Sequence, residues 1–178
     1  MIKDLCITKL TEKDFEEAYE VFKVTIPDAF EKSGSGSEKE IIQCEILHKR
    51  NMLIKAINNE NIIFFIAKYK EKVIGTISFG PCSNDIKECT NYEITELGEI
   101  GSLFVLPQYQ GNGVGSELIK YLMNYIKEKG IKEVCLDSGY EQAQKTWTKK
   151  FGVPYKVAKN HWGPDIDNMV WLVNVFEN

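Results

Sequence analysis

Hydrophobic positions recur along this chain at two spacings, and the changes between them mark out the elements. Residues 5–10 read as a short strand. Thr11 then opens a helix: its hydroxyl can cap, acidic residues fill the first turn, and Phe15, Ala18, Tyr19 and Phe22 follow at helical spacing. Pro27 interrupts that pattern, and Ser33-Gly-Ser-Gly-Ser37 reads as a flexible loop between helices, too short to join two domains. A second helix is expected from Glu38 to Asn58, with Ile42, Ile46, Leu53 and Ile57 as its apolar stripe. Residues 62–70 and 72–79 read as a hairpin turning at Glu71-Lys72. Residues 81–96 are polar and loop-like, with a turn at Asn84-Asp85.

A strand over 99–106 then feeds an amphipathic helix over 116–129, with Leu118, Leu122, Tyr125 and Ile126 inward and Gly130 ending it. Residues 134–137 make a buried strand, 141–151 a helix ended by Gly152 and Pro154, and 155–157 and 169–176 two closing strands. The order β-α-α-β-β-β-α-β-α-β-β is mixed α/β, with at least one parallel strand pair joined through the 116–129 helix. A chain of 178 residues is most simply one domain, residues 1–178.

The stretch that carries chemistry is Gln110-Gly111-Asn112-Gly113-Val114-Gly115-Ser116, between the apolar Leu103-Phe104-Val105 and the helix that follows. Alternating glycines at a strand-to-helix junction expose several backbone N–H groups at a helix N-terminus. Those groups and the helix dipole can hold a diphosphate without any Lys or Arg. Glycine is needed where φ is positive or where a Cβ would block close approach. A Walker-type loop is excluded, because Ser116 and not Lys follows Gly115. A dinucleotide G-x-G-x-x-G is incomplete: Gly111 and Gly113 lead to Ser116, and Gly113 and Gly115 to Leu118. A glycine-rich structural turn with no ligand is the plain alternative.

With its surroundings, the segment resembles motif A of the GNAT superfamily of acetyl-CoA-dependent N-acetyltransferases. The motif [R/Q]-x-x-G-x-[G/A] is matched by Gln110, Gly113 and Gly115, and the preceding apolar-aromatic-Val triplet and Pro by Leu103, Phe104, Val105 and Pro107. The resemblance implies a single-domain GNAT-like fold with a splayed strand pair. Acetyl-CoA is then the co-substrate, and no metal is expected. It further implies that backbone N–H groups from Gln110 through Gly111, Asn112, Gly113, Val114, Gly115 and Ser116 take the pyrophosphate. The pantetheine arm pairs with the backbone near Leu103, Phe104 and Val105.

The acceptor implied is an amine of unspecified identity. An alkylamine like that of Lys, with a pKa of ~10.4, is almost wholly protonated near neutrality, so a base must act. Glu99, at the start of the motif strand, is the first candidate and Glu96 the second. Strand alternation would put Glu99, Gly101, Leu103 and Val105 on one face. Either carboxylate could equally be a solvated strand end. The chain departs from the family at the general acid. Aligned on Gly152, the usual Tyr becomes Thr148, and a one-residue shift makes it Trp147. Tyr140 is a weak substitute, with packing as its alternative role, and water can protonate a thiolate of pKa ~8.5. A non-catalytic acyl-CoA-binding module therefore stands as the alternative.

Composition adds boundaries. Hydrophobic residues make 43% and charged residues 27%, an ordinary balance, and the net charge of −4 argues against a general nucleic-acid binder. The longest apolar run, Ile62 to Ala67, is far short of the ~20 residues a bilayer demands, so no membrane partner is expected. Five cysteines without C-x-x-C spacing point to reduced thiols in the cytoplasm. Cys82 and Cys89 flank the polar loop and could approach each other. His48 and His161 read as surface or hydrogen-bonded groups, and Asp28, Glu31, Asp165, Asp167, Phe30 and Trp162 as groups that could attract a cation. Monomer and homodimer both remain open.

Overall fold

In the computed structural model, which describes residues 2–32 and 39–177, Thr11 opens the first helical segment by a reciprocal cap. Its N–H and hydroxyl donate to one Asp14 oxygen at 3.1 and 2.6 Å, while Lys68 closes on the other at 2.5 Å. A 3-10 turn over Glu12–Asp14 leads into α1 (Phe15–Lys32). This helix continues through Pro27, where the sequence pattern had suggested a break. An interior proline costs about 3 kcal/mol. Ile26 is fully buried and Phe30 packs on the same core. Two such side chains contribute roughly 1.5–3 kcal/mol each, enough to carry the helix onward. The expected 33–37 loop, and Glu38, lie outside the described residues.

The chain divides into two compact units, Met1–Phe79 with Ser102–Tyr125, and Gly80–Gly101 with Ile126–Asn178. The first holds α1, α2 (Lys39–Ile57), and antiparallel strands β1 (Cys6–Lys9), β2 (Ile63–Tyr69) and most of β3 (Lys72–Pro81). The hairpin turns at Lys70-Glu71, with φ of 48° and 65°, one residue earlier than expected. Two successive left-handed residues make the primed turn whose twist matches the strands. Its core joins Phe22 to Phe64 and Phe104, ring centroids 6.2 and 5.5 Å apart in edge-on geometry, above fully buried Leu53. On another side, Phe65 meets Tyr121 and Tyr125 at 4.9 and 5.3 Å.

Strand β4 (Gly98–Val105) begins in the second unit and ends in the first. The second unit continues with β5 (Glu133–Ser138), α5 (Glu141–Phe151), β6 (Lys156–Ala158) and β7 (Asn168–Asn174), while α4 (Val114–Glu128) leads into it. Strand order is β1-β2-β3-β4-β5-β7-β6, a mixed sheet of seven strands. The β4–β5 pairing is parallel, with Gly98 opposite Val134 and Glu99 opposite Cys135. β7 pairs antiparallel with both β5 and β6.

The expected order of elements is present with one addition. The stretch expected to be a loop contains α3 (Asn84–Cys89), capped by the Ser83 hydroxyl, which accepts from the Ile86 N–H at 3.4 Å. Its six residues are too few to show a period, yet Ile86 and Cys89 are buried and anchor it.

Candidate functional site

After Val105 the chain is held at each step. The Leu106 N–H donates to the Ile74 carbonyl at 2.9 Å, and a 3-10 turn over Pro107–Tyr109 follows. The Gln110 side chain reaches back to donate to the Val105 carbonyl at 2.9 Å, so it braces the turn against the end of β4. Its own amide N–H donates to the Pro107 carbonyl at 3.2 Å, which leaves the expected run of ligand amides beginning at Gly111. The Asn112 side chain donates to the Gln110 carbonyl at 3.1 Å.

Gly111 and Gly113 have φ of 74° and 85°, the left-handed region, and a Cβ on either would meet nothing within 4 Å. The need for glycine there is conformational, and the space above the backbone is open. The bond from Glu117 N–H to the Gly113 carbonyl, 3.1 Å, starts the helical ladder, so the amides of Val114, Gly115 and Ser116 have no acceptor within the helix. The arrangement suits an anion approaching the α4 N-terminus, where amides and dipole act together. Gly115 differs from its neighbours. It has no positive φ, and a Cβ would lie 3.9 Å from Val105 Cγ2, an ordinary contact. A pattern that requires Gly at position 113 and admits Ala at 115 has its physical reason here.

Sequence reasoning missed Ser102. In the middle of β4 its φ is 49°, a left-handed residue inside a strand. Its carbonyl accepts from the buried Thr76 hydroxyl at 2.8 Å, and it is itself 7% exposed. Such a kink costs on the order of 1–3 kcal/mol and persists only where its surroundings hold it. Alternation requires extended backbone throughout, so the single-face assignment of Glu99, Gly101, Leu103 and Val105 does not carry across it. Ser carries no sequence signal for positive φ, unlike Gly or Asn. Beyond the kink, Phe104 packs into the core of the first unit, while Val105 Cγ2 lies 3.3 and 3.9 Å from where a Cβ on Gly75 and on Gly115 would stand. Leu103, Phe104 and Val105 are all half-buried.

The cofactor residues named from sequence all fall in the first unit, and the acid–base candidates all fall in the second. Glu99 is half-buried, and its carboxylate accepts from the Ser83 N–H at 2.6 Å. Glu96 is exposed on the bend before β4. Tyr140 sits half-buried at the N-terminus of α5, its N–H donating to the Ser138 hydroxyl at 3.1 Å. Thr148 is exposed on α5, and Trp147 is buried and stacked on Phe151 at 5.7 Å, which makes it a core residue and no proton donor. Gln144 donates to the carbonyls of Ser138 and Asp167, both at 2.9 Å, tying α5 to its neighbours.

Of the cysteines, Cys82 meets Cys135, Sγ to Sγ 4.0 Å, in the same buried cluster that holds Cys89. Burial pushes all three thiols up, so they rest protonated and are poor nucleophiles. His161 lies edge-on to Trp162. The Asp167 carboxyl, held low by Lys159 and the Asn160 N–H, serves the loop between β6 and β7. Asp165 in the same loop is exposed. Among the described residues no group of three or more His, Cys, Asp or Glu could hold a metal, and no helix is long and apolar enough to cross a membrane.

Known proteins share this fold and family. The chain is 30% identical over 100 residues to an uncharacterized N-acetyltransferase of Methanocaldococcus jannaschii, a match covering 56% of this chain and 42% of that protein. The chain spans about half or less of the length of the curated relatives it matches. Among solved structures, PaiA N-acetyltransferase from Thermoplasma acidophilum, in complex with coenzyme A, superposes with a TM-score of 0.70 at 22% identity, covering 95% of this chain and 99% of that one. The ribosomal-protein-S18-alanine N-acetyltransferase from Escherichia coli gives 0.62 at 16% identity, covering 96% and 94%. At such identities the likeness is one of fold. The profile of the acetyltransferase (GNAT) family matches residues 16–153, through the strand, the glycine turn and both following helices, and the chain belongs to that family of acyl-transfer enzymes.

Proposed function

We propose that this chain transfers an acetyl group from acetyl-CoA to a primary amine by direct attack on the thioester. The observation that carries the reading is the glycine turn. Gly111 and Gly113 are left-handed with open space above them, and they lead into helix amides that have no acceptor within the helix. The PaiA structure holds coenzyme A on the same fold, which supports a CoA thioester as the donor here. Amides from Gly111 to Ser116 take the pyrophosphate, braced by Gln110 and Asn112. The Leu103–Val105 backbone takes the pantetheine arm, and an N–H there polarises the thioester carbonyl. A donor of that kind is worth about 10²–10³ in rate.

The neutral amine nitrogen attacks the thioester carbon, the C–S bond breaks, and the product amide and CoA thiolate separate. Glu99 takes the amine proton, directly or through water, with Glu96 as the second candidate. Tyr140 or water returns a proton to the thiolate sulfur. Burial keeps Cys82, Cys89 and Cys135 protonated, which favours direct transfer over an acyl-cysteine intermediate.

A second reading has its own observation. With Thr148 exposed and Trp147 committed to the core, the family's Tyr position holds no acid, as in a non-catalytic acyl-CoA-binding module. Calorimetric titration with acetyl-CoA, CoA, ATP and NAD tests the site, and thiol release over a panel of amines tests the chemistry. Selective micromolar binding of acetyl-CoA with amine-dependent thiol release is the expected result. Binding without release on any amine supports the module, and absence of CoA binding overturns both readings.

A further inference from the structure

Glu99 shares its face of the sheet with a second carboxylate, Asp137, which no step above uses. Glu99 stands opposite Cys135 in the parallel β4–β5 register, and Asp137 follows two residues later on β5. Side chains alternate along a strand, so Cys135 and Asp137 point the same way. Asp137 and Glu99 are then diagonal neighbours, their Cα atoms roughly 8 Å apart. The buried thiols on that side feel both charges. Burial pushes Cys82 and Cys135 up, and the negative charges of Glu99 and of Asp137 push each of them further. Both acidic residues are half-buried, so neither is sealed from an entering molecule.

Asp137 is held from behind. Asn168, at the start of β7, is 0% exposed, and its Nδ2 donates to Asp137 Oδ2 at 2.7 Å and to Cys89 Sγ at 3.4 Å. Its own Oδ1 is buried with no hydrogen-bond partner among the described residues. An unpaired buried acceptor costs about 1–3 kcal/mol, and such exceptions gather at functional sites. Turning the amide over would set its oxygen against the carboxylate, so the bond to Asp137 fixes this orientation. Val170, two residues on and facing the same way, shows what the core takes where nothing polar is to be held. Asn168 therefore serves the placement of the Asp137 carboxylate.

An acceptor amine arrives almost wholly as its ammonium ion near neutrality. That cation must be held while a base takes its proton, and a charge-assisted hydrogen bond to a carboxylate is the strong way to hold it. Glu99 loses its charge on taking the proton, whereas Asp137 keeps its own. On the acetyl-transfer reading given above, we propose that Asp137 is the anchor for the acceptor: its carboxylate binds the substrate's ammonium group on the face where Glu99 removes the proton, with Asn168 as the positioning residue behind it.

The test follows thiol release by the full chain at saturating acetyl-CoA, with n-butylamine, putrescine and tyramine as acceptors. Asp137→Asn keeps the shape and an oxygen for Asn168 but removes the charge. KM for the amine should rise about 10–100-fold while kcat stays within about threefold. Acetyl-CoA affinity, read by calorimetry, should not change. Asp137→Glu restores the charge and should recover most of the loss. Glu99→Gln should give the opposite split, with kcat reduced and KM kept. An unchanged KM in Asp137→Asn overturns the proposal and leaves Asp137 a partner for Asn168 alone. A fall in kcat with KM unchanged also overturns it, because Asp137 would then act in proton transfer. If circular dichroism shows that Asp137→Asn does not fold, Asp137→Ser is read in the same way. If no amine is turned over, the acetyl-transfer reading fails by itself, and calorimetric titration of the same amines into the CoA-loaded chain tests the anchor. Amine binding that Asp137→Asn weakens by about tenfold or more upholds it. No binding, or binding indifferent to the substitution, overturns it.

Discussion

The glycine turn and the proposed acid–base residues offer contrasting ways of encoding a site. The turn, Gln110 to Ser116, works through its backbone. Two residues are left-handed, two side chains brace it, and its donors are main-chain amides whose direction the helix sets. Glu99, Glu96 and Tyr140, the groups proposed for proton transfer, would work through side chains, on a strand end, a bend and a helix start of the other unit. Only Glu99 among the two carboxylates is visibly fixed, by the Ser83 amide. Backbone chemistry leaves a signature in residue type, because only glycine adopts these angles freely. Side-chain chemistry leaves none, because a Glu is the same letter whether it takes a proton or caps a helix.

The sharpest way to break the contrast is Glu99→Gln. If Glu99 is the base, turnover falls by about 10²–10⁴ while acetyl-CoA affinity is unchanged. The amide oxygen can still accept from Ser83, so the local fold is retained. Steady-state kinetics with a reactive amine, beside calorimetry, separates the two roles. A loss smaller than about threefold would reduce Glu99 to a structural cap for α3.

The corresponding break on the other side is Gly113→Val. At φ of 85° a β-branched residue is strained. A left-handed L-residue costs roughly 1–2 kcal/mol, and branching adds to it, so the turn relaxes and its amides lose their common direction. Acetyl-CoA affinity should drop about 10–100-fold, with kcat at saturation nearly preserved. An unchanged Kd would mean that the turn is structural and that the diphosphate lies elsewhere.

These two variants probe what the sequence made visible and what it hid. The strand, turn and helix around Gly113 are legible because apolar period and glycine placement agree. Pro27 misled because local propensity speaks for a break, while the burial of Ile26 and Phe30, which decides it, is tertiary. α3 stayed hidden because six residues show no period. Ser102 stayed hidden because nothing in its own residue type marks a left-handed strand residue, and the Thr76 hydroxyl that holds it lies 26 residues away. The meeting of Cys82 with Cys135 rather than Cys89 alone depends on strand order, which spacing does not contain.

Asp14 gives a smaller effect, confined to the unit that carries the glycine turn. Burial pushes its carboxyl up, but hydrogen bonds from Lys68 and Thr11 outweigh burial and hold it below the ordinary carboxylate value. A depressed carboxyl stabilises the fold above its unfolded pKa, and that contribution disappears as pH falls through the folded value. Asp14→Asn should therefore cost about 1 kcal/mol at neutral pH, and the gap to wild type should close in acid. Urea unfolding followed by circular dichroism at the two pH values checks it. A gap that persists in acid would assign the loss to packing and not to charge.

The smallest effect is expected at Gly115, and it is the most discriminating. The motif admits Ala there, its φ is not positive, and a Cβ would stop 3.9 Å from Val105. Gly115→Ala should thus leave acetyl-CoA affinity within about threefold and raise stability by roughly 0.4–1 kcal/mol, since alanine loses less chain entropy in a helix. Calorimetry and thermal unfolding on the one variant read both numbers. Should affinity instead fall as far as in Gly113→Val, the two glycines would share a cause that conformation cannot supply. The ligand itself would then press against the first turn of α4, and close approach, more than left-handed geometry, would be what the motif protects.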